Sequence, residues 1–186
     1  MTRQTPIEWA KANPQQQDEY VRLTLNRQLR ADGFFGGPVD AWLMNGELSH
    51  RLRALGDLIW ERTSLKRAWV EFAIVITATF WKSNFEWWDH ADRAVQYGMA
   101  QADVDDVTAG RRPSGSPEAE LIYEVCMAMH AEHRLSHTLY QHAVEVLGER
   151  GLMELMATIG YYTLVSMTLN AFEIQPRPGL VGPFER

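Results

Sequence analysis

Cysteine is almost missing from this chain of 186 residues, with Cys126 its sole example. One thiol excludes an intrachain disulfide and every CxxC redox or zinc motif. The opening stretch MTRQTPIEWAKANPQQQ lacks the apolar run of a signal peptide, which predicts a cytoplasmic protein. Positive charge is also scarce. Lys and Arg number 18 against 24 Asp and Glu, a net charge of −6, and the basic pairs Lys66–Arg67 and Arg111–Arg112 are scattered. No nucleic-acid footprint is expected from that pattern.

Strand signals are missing as well. No segment alternates apolar and polar residues between turn signals, and FAIVIT, though β-branched, sits inside a longer helical run. Only GLMELMATIGYYTLVSMTL (151–169) has the length of a membrane span. It contains Glu154, three threonines, Ser166 and Gly160. A glutamate inside a span costs roughly 2.5–3.5 kcal/mol, so a helix buried in a core or a subunit interface is expected, with no membrane partner.

What is present is a globular composition, 46% hydrophobic and 23% charged, long enough for one sizeable core. Helix signals recur throughout. Asn13–Pro14 with Gln16 opens a helix to about residue 29, and Leu48, Leu52, Leu55 and Ile59 mark another over 47–62. Ser64 is expected to cap a helix over 65–82. Further helices follow over 84–98, in the polar stretch before Gly110, after Ser116–Pro117 to about His133, and after Ser136 to the stretch QPRPG. The prediction is all-α: one domain over 1–186, with a helical extension at 1–30 and a core at about 40–175.

Three features carry possible chemistry. In TFWKSNFEWWDHADRA (79–94), Glu86 and His90 lie four apart on one helix face, among large aromatic side chains. Such a pair is either a surface contact or a proton carrier poised near neutrality, with Glu86 kept ionised at the helix amino end. Glu71 is the lone charge among the thirteen residues of WVEFAIVITATFW. It lies either on an exposed stripe near its helix start or in a polar site. His130, His133 and His137 would share a face on an unbroken helix and could then hold a metal. Ser136 reads as a fresh N-cap that breaks the register, so no metal site is expected. Cys126, Trp60, Trp69 and Trp81 read as core residues.

These residues resemble the carboxymuconolactone decarboxylase family, whose superfamily includes the AhpD alkylhydroperoxidases. The likeness runs from GGPVDAWLMNGELSHRLRALGDLI (36–59) through FEWWDHADRAVQYGMAQADVDDV (85–107) to GERGLMELMATIGYYTLVSMTLNAFEI (148–174). It implies an AhpD-like helical bundle assembled into homo-oligomers, trimers or hexamers. The peroxidase branch carries a glutamate, then CxxC, then a histidine four residues on. Here Glu71 and His90 match the outer positions, while Ser83 and Glu86 stand in the cysteine positions and Phe85 replaces an intervening histidine. Neither Ser83 nor Glu86 can form a sulfenate, so thiol peroxidase chemistry is not expected. The decarboxylase branch keeps a glutamate four residues before the histidine, as EWWDH does.

The resemblance therefore implies a cofactor-free lyase or isomerase working on a small unsaturated acid or lactone. His90 and Glu86 would be its acid/base pair, with Glu71 assisting directly or from behind. Trp81, Phe85 and Trp88 would line the pocket, and Arg93 would hold the substrate carboxylate. The competing expectations are a non-catalytic oligomeric binding protein, or a peroxidase-like relative that has lost its redox cysteines.

Overall fold

The computed structural model describes residues 2–176 and 182–184. Among these, every regular element is helical. A 3₁₀ turn (Trp9–Lys11) precedes α1 (Pro14–Asn26), α2 (Val39–Trp42), α3 (Gly46–Glu61), α4 (Arg67–Phe80), α5 (Asn84–Gln96), α6 (Gln101–Thr108) and α7 (Pro117–Met127). A π-helical turn (Ala128–Glu132) and α8 (His137–Ala171) complete the order.

Helix α4 is the axis of the fold. Its residues 70–78 are all buried, and α5, α6, α7 and α8 pack around it. The β-branched run of α4 would suit a strand, but burial on every side lets it pack as a helix, where backbone groups are satisfied internally. Outside this group, α1 lies on α3. It starts with the expected capping box: the Asn13 side chain accepts from the Gln16 N–H, and the Gln16 side chain accepts from the Asn13 N–H.

The start of α4 differs from expectation. Its N-cap is Lys66, which offers no capping side chain. Ser64 instead gives both its N–H and its hydroxyl to Glu154 of α8. By its length and apolar composition α8 could cross a membrane. Here Leu152, Leu155, Ile159, Tyr162, Val165 and Leu169 form its buried ridge, and Gly148 (φ 72°, ψ 162°) breaks the helix. It ends at Ala171, before QPRPG, whose last three residues lie outside those described.

The α4–α5 connection sets up the site. Lys82 adopts a left-handed conformation (φ 51°), the Ser83 N–H reaches back to the Ala78 carbonyl, and the Lys82 N–H reaches the Thr79 carbonyl. That closure ends α4 and turns the chain within a few residues. It brings α5 alongside α4 over its length.

Candidate active site

Helix α5 buries Asn84, Glu86, His90, Ala91 and Ala94. Glu86 and His90 therefore belong to the face turned into the protein, each only 4% exposed. Ser83 is the N-cap, and Glu86 lies in the first turn.

The nearest partner of His90 comes from α4 rather than from its own helix. The Nδ1–H of His90 meets Glu71 Oε2 at 2.5 Å, and Glu71 is 0% exposed. The other Glu71 oxygen, Oε1, accepts from Arg67 Nη2 at 2.5 Å. Arg67 Nη1 donates to the Trp60 carbonyl, and its guanidinium lies 3.9 Å over the Trp60 ring. A charged row results: Arg67, Glu71, His90. Of the two placements open to Glu71, the structure takes the polar site. The i,i+4 spacing of Arg67 and Glu71 is the sequence signal for this arginine, which composition alone shows only as half of a basic dipeptide.

On the far side of the ring, Nε2 lies 3.5 Å from Glu86 Oε2 and 3.7 Å from Asp89 Oδ2. It makes no hydrogen bond among the described residues. One nitrogen is thus locked and the other is free beside two carboxylates. Burial pulls the imidazole pKa down, but the Glu71 hydrogen bond and the adjacent Glu86 overcome it and lift the pKa to about 9. This corrects the expectation of a carrier poised near neutrality, because two buried carboxylates face the ring. Burial pushes Glu71 up, yet His90 and Arg67 outweigh it and hold the carboxyl below its ordinary value.

The expected aromatic lining is placed differently. At about 100° per residue, Trp88 projects about 180° from the mean direction of Glu86 and His90, so it cannot face them from its own helix. Phe85 packs near Gly37. Trp81 is half-buried at the C-cap of α4, with its carbonyl held by Asn170 Nδ2 at 2.7 Å. The ring that does meet His90 is Tyr162 of α8, edge-on at 5.2 Å. Burial first, then the Glu86 charge, raises the Tyr162 pKa well above its ordinary value and keeps the phenol protonated. Arg93, expected to bind a carboxylate, is paired with Asp89 at 3.0 Å. Trp60, expected in the core, is exposed and serves as the platform for Arg67.

The remaining histidines stay apart. His133 takes a left-handed conformation (φ 64°), and Ser136 caps α8 through the Leu139 N–H, so the chain direction changes between His130 and His137. No group of three or more ligating side chains gathers among the described residues. Cys126 is a buried core residue, with its thiol pKa pushed up by burial.

Clefts among the described residues lie away from the imidazole. One of about 680 Å³ is lined by Met129, Leu135, Tyr140, Leu152 and Met156, among others. Another, about 570 Å³, lies against Lys66, Arg67, Trp69 and Tyr97. Neither is lined by His90 or Glu86.

No family model matches the chain, and no curated protein matches it. Its fold is that of AhpD-like proteins. An uncharacterized peroxidase-related protein from Silicibacter sp. TM1040 superposes with a TM-score of 0.70 at 12% identity, covering 94% of this chain and 92% of that one. An alkylhydroperoxidase AhpD core protein from Ralstonia eutropha JMP134, also peroxidase-related and uncharacterized, gives 0.73 at 13%, covering 95% and 93%. A cysteine-to-alanine variant of the debrominase Bmp8, in complex with 2,3,4-tribromopyrrole, gives 0.64 at 13%, covering 94% and 91%.

Proposed function

We propose that this protein is a cofactor-free lyase or isomerase of the carboxymuconolactone decarboxylase type, acting on a small unsaturated acid or lactone through His90. The observation that carries this reading is the buried imidazole with Nδ1 held by Glu71 and Nε2 free beside Glu86. Protonated at neutral pH, His90 is a general acid. In decarboxylation the bond from carbon to carboxylate breaks, CO2 leaves, and the electron pair passes into the conjugated carbonyl as an enolate. The Nε2 proton then goes to the carbon, and the ring recovers a proton from water. Glu71 fixes the ring's orientation and stabilises the imidazolium. Glu86 turns aside to admit substrate, and Tyr162 covers the ring.

The test is CO2 release from a panel of β-keto acids and unsaturated lactones. His90→Gln is expected to lower any turnover by about 10²–10⁴, the usual range for losing one acid/base group. Unchanged turnover in that variant would remove His90 from the chemistry. Thiol-dependent peroxide reduction is not expected, since Cys126 is buried and far from being a thiolate.

A second reading, a non-catalytic oligomeric binding protein, draws on the near-complete burial of His90 and Glu86 in one chain. Failure of the whole substrate panel, together with tight binding of an unsaturated acid, would favour it. Both readings include self-association as a trimer or hexamer. Met153, Leu164 and Met167 stand exposed on the outer side of α8, which favours covering by another copy. A monomeric mass in light scattering would overturn that part.

A further inference from the structure

Beside the α4–α5 turn, several polar groups are buried and unused. Ser83 is fully buried, yet its hydroxyl has no hydrogen-bond partner among the described residues. As N-cap of α5 it gives no side-chain bond to the helix, which leaves the first-turn N–H groups of a 13-residue helix without a capping oxygen. Two residues earlier, the Trp81 indole N–H is also buried and unpartnered. Across from it, Asn170 spends its Nδ2 on the Trp81 carbonyl and leaves Oδ1 without a donor. One turn back on α8, the fully buried Ser166 hydroxyl has no partner either.

A buried polar group without a partner costs about 1–3 kcal/mol, and proteins rarely tolerate several together. Here two donors without partners among the described residues, Ser83 and Trp81, lie two residues apart on the turn, and a third, Ser166, lies one helical turn from Asn170, which bonds the Trp81 carbonyl. The uncapped amino end of α5 adds a favourable potential for negative charge. The same face of α8 carries Tyr162, Ser166 and Asn170 at successive four-residue steps, from the ring of His90 to the carbonyl of Trp81. That path covers about 12 Å, longer than a four-carbon acid, so an acid held at one end points toward the other without spanning the two sites.

We propose that the amino end of α5, with the Ser83 hydroxyl and the Trp81 indole N–H, is an oxyanion-binding subsite. It holds the carboxylate or carbonyl oxygen of a small unsaturated acid whose reacting carbon lies toward His90. This takes over the role that the sequence assigned to Arg93, whose guanidinium is committed to Asp89. Glu86, in the same first turn, has its carboxylate turned to the imidazole. What is called substrate here rests on the acid–base reading above, but the subsite itself stands on the unpartnered donors.

The experiment is an amide and indole NMR titration of the full chain with crotonate, with crotonamide as its neutral isostere. Crotonate is expected to move the Trp81 indole N–H downfield and to shift the backbone N–H signals of Asn84, Phe85 and Glu86, whereas crotonamide binds at least tenfold more weakly. Ser83→Ala is expected to weaken crotonate about tenfold, the worth of one hydrogen bond to a charged group. It should not lower the melting temperature, because the hydroxyl it removes bonds to nothing. Trp81→Phe assigns the indole signal and should weaken binding similarly. Equal affinity for crotonamide, or shifts that map elsewhere, would overturn the proposal. So would a Ser83→Ala protein that melts lower and binds crotonate unchanged, which is the signature of a structural water. The titration is repeated in His90→Gln. Retained crotonate binding there, without turnover in any variant, would sink the lyase reading and leave the subsite standing.

Discussion

Two histidines, one buried and one half-buried, face the same helix and are driven in opposite directions. His90 meets Glu71 of α4, and its pKa rises to about 9. His130 meets Thr77 of α4, its Nε2 3.1 Å from the hydroxyl, and burial pushes its pKa down to about 4. The Thr77 hydroxyl donates to the Ala73 carbonyl, so it accepts from His130 and the network assigns that ring its neutral Nε2–H form. A stacked Phe80 ring at 4.6 Å completes an apolar setting around His130. The difference teaches that burial alone disfavours an imidazolium, and that only an ionised neighbour reverses the sign. Six residues apart on α4, a carboxylate makes one ring a stored proton and a hydroxyl makes the other a neutral strut.

The largest effect should come from removing that carboxylate. Glu71→Gln is expected to lower the His90 pKa markedly from about 9, moving it toward the behaviour of His130, with only Glu86 and Asp89 left to oppose burial. Any lyase activity should fall by about 10²–10⁴. Stability should fall by about 3–5 kcal/mol, because Arg67 loses its buried partner. An NMR titration of His90 with a denaturation series measures both, and an unchanged His90 pKa would break the comparison.

The pH dependence of stability comes next. The folded state holds a proton on His90 that the unfolded chain gives up above about 6.5. The stability this adds is complete below the unfolded pKa and is lost as pH rises toward 9. The melting temperature of the wild type should therefore fall by several degrees between about pH 7 and 9.5. His90→Gln should flatten that slope. His130 has the opposite sign: its lowered pKa withdraws stability only as pH drops below about 6.5 toward 4.

Glu86→Gln should do less than Glu71→Gln. At 3.5 Å from Nε2 without a hydrogen bond, Glu86 adds charge and little orientation. The His90 pKa should fall yet remain above that of Glu71→Gln, with turnover reduced about tenfold, which steady-state rates across pH would read. The smallest effect belongs to the neutral histidine. Thr77→Val removes one neutral hydrogen bond and should cost about 1–2 kcal/mol, with His130 remaining uncharged at neutral pH by NMR.

Much of this was legible from local pattern. Asn13–Pro14, Ser116–Pro117 and Ser136 marked helix starts correctly, because a cap is a contact between residues three apart. Ser64 misled for a long-range reason: Glu154, ninety residues on, takes its hydroxyl. The pairing of Glu86 with His90 followed from helical spacing, whereas the ranking of Glu71 above Glu86 did not. It depends on how α4 and α5 lie together, which a tight turn at Lys82 decides. The aromatic lining failed likewise, since Trp88 is near His90 in the chain but projects from the other side of the helix, and Tyr162 arrives from a distant one.

By itself, the sequence determined an all-helical chain, the lack of a usable thiol pair, and a glutamate and histidine on one face of α5. Each of these is set by residue identity or by neighbours within a helical turn or two. Only the tertiary structure decided which carboxylate holds the imidazole and which ring covers it. It also left the donors at the α5 amino end without partners. Those outcomes depend on groups brought together across 19 to 89 residues of chain, where packing of α4 against α5 and α8 sets the distances.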